Sequence, residues 1–120
     1  MTDKVLNFSL TREEMPVRIG DGDYVLQELD GAERDRYLQD VGGRIRIAKD
    51  GNAAGVKNFK GMQAFLVSLA LKKQVSGDLE NVPVDTIQGW PSKVVSGLFD
   101  AARELSGLDK EDGEDEVGND

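Results

Sequence analysis

The chain contains no histidine and no cysteine. Without histidine there is no imidazole to activate a serine or cysteine nucleophile, and none to ligate a metal. Without cysteine, disulfides, thiolate catalysis, iron–sulfur clusters and zinc-thiolate sites are excluded. A cysteine-free chain is compatible with a reducing compartment but does not require one. Aromatic residues make up only 6% of the sequence, and hydrophobic residues 38%, below the usual globular share. Long apolar runs are lacking too. The longest, Ala64 to Leu71 with Ser68 inside it, is too short to span a bilayer. The opening residues, Met1 to Phe8, hold no apolar stretch of signal-peptide length. These absences predict a soluble, cytoplasmic protein with no membrane contact.

Negative charge is in excess: 15 basic residues face 23 acidic ones, for a net charge of −8. The excess is concentrated at one end. Residues 108–120 hold seven acidic residues and one lysine, a net of −6, which leaves −2 for residues 1–107. A nearly neutral body with an acidic end lacks the basic footprint of a nucleic-acid binder. A length of 120 residues suits one core, not two. The expected organisation is a single folded domain over 1–107 and an acidic disordered tail over 108–120, which has too little apolar area to order itself.

Along the body, Leu6, Phe8 and Leu10 alternate as in a strand, in a segment that reads as a loose arm or an edge strand. Two short apolar runs, Met15–Ile19 and Tyr24–Leu29, flank a Gly/Asp cluster and predict a β-hairpin, with Pro16 suited to an edge position. The β element therefore covers about 5–29. Asp30-Gly-Ala-Glu33 has the form of a capping box. Tyr37, Leu38, Val41, Ile45 and Ala48 follow at helical spacing, predicting a helix over 31–48 that bends or is closely packed at Gly42-Gly43. After a polar connector over 49–55, Asn58 is a candidate cap for a helix over 59–74. That helix carries Met62, Phe65, Leu66 and Leu69, with Lys72 and Lys73 complementing its carbonyl end. A turn-rich link spans 75–84. Asp85 is a candidate cap for a short helix over 85–90, and Pro91 opens a final helix over 91–106 that Gly107 stops. The predicted fold is mainly α with a small N-terminal β-hairpin (α+β): a compact helical domain with a disordered acidic C-terminal tail.

Few segments invite chemistry. A calcium loop starting at Asp50 fails at its fifth position, Ala54, and at its twelfth, Gly61, where a bidentate glutamate is needed. The carboxylate pairs Glu13-Glu14 and Glu33/Asp35 show no arrangement for acid–base work, and no glycine-rich phosphate loop is present. No enzyme, cofactor or metal is implied. Arg34, Arg36, Arg44, Arg46 and Lys49 read as a solvated helix face with internal ion pairs, or as a surface for an acidic partner. The tail serves solubility, plugs a sticky surface, contacts a basic partner or mimics phosphate. Trp90, the single tryptophan, is either core or an exposed hot spot.

Taken together, Tyr24-Val-Leu-Gln-Glu-Leu-Asp-Gly-Ala-Glu-Arg-Asp-Arg-Tyr37, Gly61-Met-Gln-Ala-Phe-Leu-Val-Ser-Leu-Ala70 and Ile87-Gln-Gly-Trp-Pro-Ser-Lys-Val-Val95 with Leu98, Ala101, Ala102 and Leu105-Ser-Gly107 resemble the tail assembly chaperones of long-tailed bacteriophages and prophages. The resemblance covers about residues 15–107 and its motifs are non-catalytic. It implies a protein that coats the tape-measure protein, keeps it soluble, recruits tail-tube subunits and is absent from the mature virion. It also implies a longer frameshifted form of the chain, diverging near the acidic end. A helical body with an accessible apolar groove suits such a client, with several copies along one target. The residues expected to touch the partner are Trp90, Val94, Leu98, Phe99 and Phe65, and self-association is a further expectation. The competing readings are an acidic decoy that inhibits a host nucleic-acid-binding protein, and a structural head–tail component.

Overall fold

The computed structural model describes residues 5–47, 53–56 and 60–108. Its elements run β1 (Glu14–Ile19), β2 (Gly22–Gln27), α1 (Gly31–Arg44), β3 (Ile45–Ile47), β4 (Ala53–Val56), α2 (Met62–Ala70), β5 (Leu71–Val75), β6 (Asp78–Asn81), α3 (Val84–Gln88) and α4 (Ser92–Leu105). Among the described residues, four strands form an antiparallel sheet in the order β1-β2-β5-β6, while β3 and β4 pair with each other. The expectation of a mainly helical fold is therefore corrected to a mixed α+β fold, in which the predicted hairpin is only half of the principal sheet.

The hairpins follow from their turns. In β1–β2 the two central turn residues are Gly20 and Asp21, and only Gly20 has positive φ (59°), the type II′ pattern. In β5–β6 both central residues, Ser76 (φ 52°) and Gly77 (φ 86°), are left-handed, as a type I′ turn requires. The glycine tolerates this freely, whereas Ser76 carries the steric cost of a Cβ.

The largest departures from the sequence reading lie at helix ends. The helix expected over 59–74 stops at Ala70, and Leu71 turns extended (φ −92°, ψ 131°) to begin β5. Leu71 pairs with Leu26 and Lys72 with Val25, while Lys72 also pairs with Asn81 on the other side. Burial against β2, distant in sequence, outweighs the continuing helical period. Lys72 keeps part of its expected role from the strand, since its Nζ donates to the Leu69 carbonyl at the end of α2 (3.2 Å). The first helix ends at Arg44, and Ile45–Ile47 becomes β3. Nothing lies within 4 Å of a Cβ placed at Gly42 or Gly43, so close packing does not explain that pair. Two glycines followed by β-branched residues weaken the last turn enough for it to end. Asn58 and Ala48 lie outside the described residues, as do residues 109–120.

Other local signals behave as read. Asp30 Oδ1 accepts from the Glu33 N–H (2.8 Å), and Glu33 Oε1 accepts from the Asp30 N–H (3.0 Å), forming the reciprocal capping box at α1. Arg12 joins it by donating to Asp30 Oδ2 at 2.8 Å. Pro91 is the N-cap of α4, and Gly107 (φ 76°) donates its N–H to the Glu104 carbonyl. One signal does not: Asp85, expected to cap α3, lies inside its first turn, and the cap position is Pro83.

One face of the main sheet, carrying Val17, Ile19, Tyr24, Leu26 and Leu71, meets the helices. The centre of the core is α2, whose Leu66, Val67 and Ala70 are completely buried together with Leu26, Leu71, Ile87 and Ala102. Leu108 is buried in the same cluster, one residue past the expected end of the folded domain at 107. Tyr37 of α1 is also buried, and this pushes its phenol above the ordinary 10.0, with Arg103 pulling it down and Asp40 pushing it up.

Two predictions follow from this packing. Ser76→Asn places a residue that tolerates left-handed backbone in the I′ turn, and is expected to raise stability by about 0.5–1 kcal/mol in urea titration; no gain would mean that Ser76 is not strained. Above pH 10.0 the unfolded chain ionises Tyr37 while the folded chain keeps it neutral, so stability present at neutral pH is lost as pH rises through the folded-state value. Tyr37→Phe is therefore expected to gain on the wild type in urea midpoint above pH 10.0, and equal alkaline losses in both proteins would exclude this cause.

Candidate functional site

The start of α2 faces the α3–α4 junction across an open groove of about 360 Å³. Gly61, Met62, Gln63 and Ala64 form one wall; Gln88, Trp90, Ser92 and Val95 form the other. Local sequence builds both walls. Gly61 begins α2 in a left-handed conformation (φ 79°), and a Cβ there would lie 3.6 Å from Gln88 Nε2. Pro91 separates α3 from α4 and sets Trp90 at the corner between them. The indole is half-buried and meets the Tyr24 ring edge-on, with centroids 5.9 Å apart and planes at 81°. That contact joins the groove to the sheet. Ser96 Oγ donates to Gln63 Oε1 (3.3 Å), tying α4 to α2 beside the groove.

None of the eight lining residues is charged. Two other depressions contrast with it. One over β1–β2 includes Arg18 and Asp23, and one on α4 includes Asp100, Arg103 and Glu104. The groove thus offers an apolar floor with the amides of Gln63 and Gln88 and the Ser92 hydroxyl at its rim. This chemistry fits apolar side chains presented with some backbone polarity. Among the described residues, no polar or charged residue is buried, and no cluster of acidic residues is placed to hold a metal ion. The resolved titration shifts lie elsewhere, at Tyr37 and at Lys72. Burial lowers the Lys72 pKa, opposed by Glu33 and aided by Arg12.

The structure disperses the five residues expected to touch a partner. Trp90 lines the groove. Val94 is half-buried against the core and does not line it; its neighbour Val95 does. Leu98 and Phe99 are 7% and 8% exposed and belong to the core, with Arg103 over the Phe99 ring at 5.5 Å. Phe65 is half-buried on α2, with Arg36 of α1 above its ring at 5.9 Å. An amphipathic stripe marks what is buried, and the inner half of that stripe is core. Met62, Gln88 and Val95 were not singled out as partner contacts, because their convergence depends on how α2 packs against α3 and α4. The turn at Gly61 was the one local signal of a wall there.

The other sequence candidates also find places. Arg44 donates to Asp40 (2.8 Å) and to the Lys60 carbonyl (2.8 Å), while Arg46 lies on β3 and Lys49 is outside the described residues. The basic run is therefore divided between two elements instead of forming one helix face. Ala53, Ala54 and Gly55, from the segment read as a polar connector, belong to strand β4 (Ala53–Val56). No helix among the described residues is long and apolar enough to cross a membrane. No protein family, curated protein or solved structure matches this chain.

Proposed function

We propose that the protein is a tail assembly chaperone of a long-tailed bacteriophage or prophage, acting in the host cytoplasm and left out of the mature virion. In this reading it binds the tape-measure protein, keeps it soluble, and brings tail-tube subunits to it, alone or beside a longer frameshifted form of itself. The observation that supports it most is the uncharged groove with Trp90 at its corner. A long helical client exposes apolar side chains at repeated intervals, and a shallow apolar groove takes one such group at a time. Weak single contacts suffice when many copies bind along one target. The groove, not α4's apolar stripe as a whole, is the client site, because Leu98 and Phe99 are already occupied within the core. The acidic end keeps the coated complex dispersed.

The first test is capture from cells expressing the native gene cluster, with the wild type and Trp90→Ala compared. A tape-measure protein is expected with the wild type, and about 30-fold weaker binding with Trp90→Ala, as for a residue worth about 2 kcal/mol. Because Trp90 also packs on Tyr24, Met62→Ala on the facing wall is the companion variant; unchanged capture by both removes the groove from the site. Deleting residues 109–120 is expected to leave capture intact. Loss of all binding on that deletion, with a host nucleic-acid-binding protein as the captured species, would establish the decoy reading instead.

A further inference from the structure

Val5, Leu6, Phe8 and Leu10 are between 72% and 100% exposed. They lie in a segment outside any strand or helix, and the hydrogen bonds within it are local, from Asn7 Nδ2 to the Val5 carbonyl and from the Thr11 N–H to Ser9 Oγ. Leu6, Phe8 and Leu10 alternate, so an extended backbone places them on one face. Val5–Leu10 carries no charge. Just beyond it, Arg12 is pinned to the start of α1 through Asp30 and Glu33. An uncharged strand-forming segment, anchored at one end and unpaired, calls for a sheet edge.

The principal sheet has two edges, β1 and β6, and they differ. In β1, the Glu28 N–H donates to the Glu13 carbonyl, and alternate residues 13, 15, 17 and 19 turn their backbone groups toward β2. Residues 14, 16 and 18 therefore face outward, and the middle one is Pro16, which has no N–H to donate. That edge is blocked. In β6, the pair Val75 and Asp78 closes a two-residue turn, so Asp78 and Glu80 face β5 while the backbone groups of Leu79 and Asn81 face outward. No proline interrupts these four residues, and the Leu79 side chain is 44% exposed. Asp78 and Glu80 disfavour pairing between two β6 edges by like-charge repulsion, but do not oppose an uncharged strand.

The chain's own arm does not reach this edge. Crossing from β1 to a position beyond β6 spans four strand spacings, about 19 Å, while six extended residues cover about 20 Å. The whole of Val5–Leu10 would be spent on the crossing, with none of that segment left to pair. We propose that Val5–Leu10 of one copy adds as a strand to the outer edge of β6 in a second copy. Reciprocal exchange gives a closed two-fold dimer with two equivalent joints. Leu6, Phe8 and Leu10 then lie beside Leu79, and the outward N–H and carbonyl groups of β6 are paired.

The test measures mass by light scattering during size-exclusion chromatography of the full chain over a concentration series. The wild type is expected to be a dimer. Phe8→Asp disrupts the arm at an exposed site that the fold does not use. Leu79→Pro removes only an outward N–H from the ladder, giving β6 the protection that β1 has in Pro16. Both variants are expected to be monomers with wild-type circular dichroism. Mixing them restores one joint, from the intact arm of Leu79→Pro to the intact edge of Phe8→Asp, and heterodimers are expected. A monomeric wild type at all concentrations overturns the proposal. So does a dimer that survives Phe8→Asp, or a monomeric Phe8→Asp beside a dimeric, folded Leu79→Pro, which would place the arm elsewhere. Should Leu79→Pro fail to fold, the wild type is mixed with Phe8→Asp: heterodimers joined through one arm support the exchange, and their absence overturns it.

Discussion

The molecule rests on the burial of one continuous segment, α2 and the strand that follows it without a loop. Leu66, Val67, Ala70 and Leu71 are completely withdrawn from water, and they contribute to both layers, since α2 packs among the other helices and β5 sits inside the sheet. Each large apolar side chain buried in this way contributes about 1.5–3 kcal/mol. The change from helix to strand at Leu71 is what lets a single short stretch anchor both faces of the interface. Had the helix continued to residue 74, β2 would have lacked its inner neighbour and β6 the strand it pairs with.

The groove is a by-product of the same arrangement. The first turn of α2 stands opposite the α3–α4 corner, with Ala64 in the core and Met62 and Gln63 half-buried beside it. Gly61 permits the left-handed entry into α2, Pro91 interrupts the opposite side, and Trp90 is left half-covered between Tyr24 and solvent. The groove's lining is uncharged because it continues the core's own composition to the surface.

The sheet's two edges carry opposite solutions to the hazard of unpaired backbone. A proline at the outward-facing centre of β1 removes a donor where an incoming strand needs one. The short, acidic β6 repels copies of itself yet remains open to an uncharged strand. The proposed strand pairing at the free edge and the proposed apolar docking in the groove involve separate surfaces, so the two proposals are compatible in one assembly.

What was legible in the sequence was local stereochemistry. The Asp30/Glu33 capping box, the Gly20 turn, Pro91 at the head of α4 and Gly107 at its end each depend on interactions within a few residues, and each took the expected form. The hairpin of β1 and β2 was legible for the same reason. Long-range partners decided the rest. Leu71–Val75 satisfies a helical period as well as a strand alternation, and pairing with Tyr24, Val25 and Leu26 on one side and with Asp78–Asn81 on the other selects the strand. Periodicity identified Leu98 and Phe99 as apolar-face residues, but whether such a face meets a partner or the protein's own core depends on what already packs against it. The sequence by itself determined the turn at Gly20, the cap at Asp30 and the two ends of α4, because those choices are made by neighbouring atoms, whereas the end of α2 was set by strand pairing far away in the chain. Only the tertiary structure decided which apolar residues remained for the surface, because burial is a competition among segments far apart in the chain.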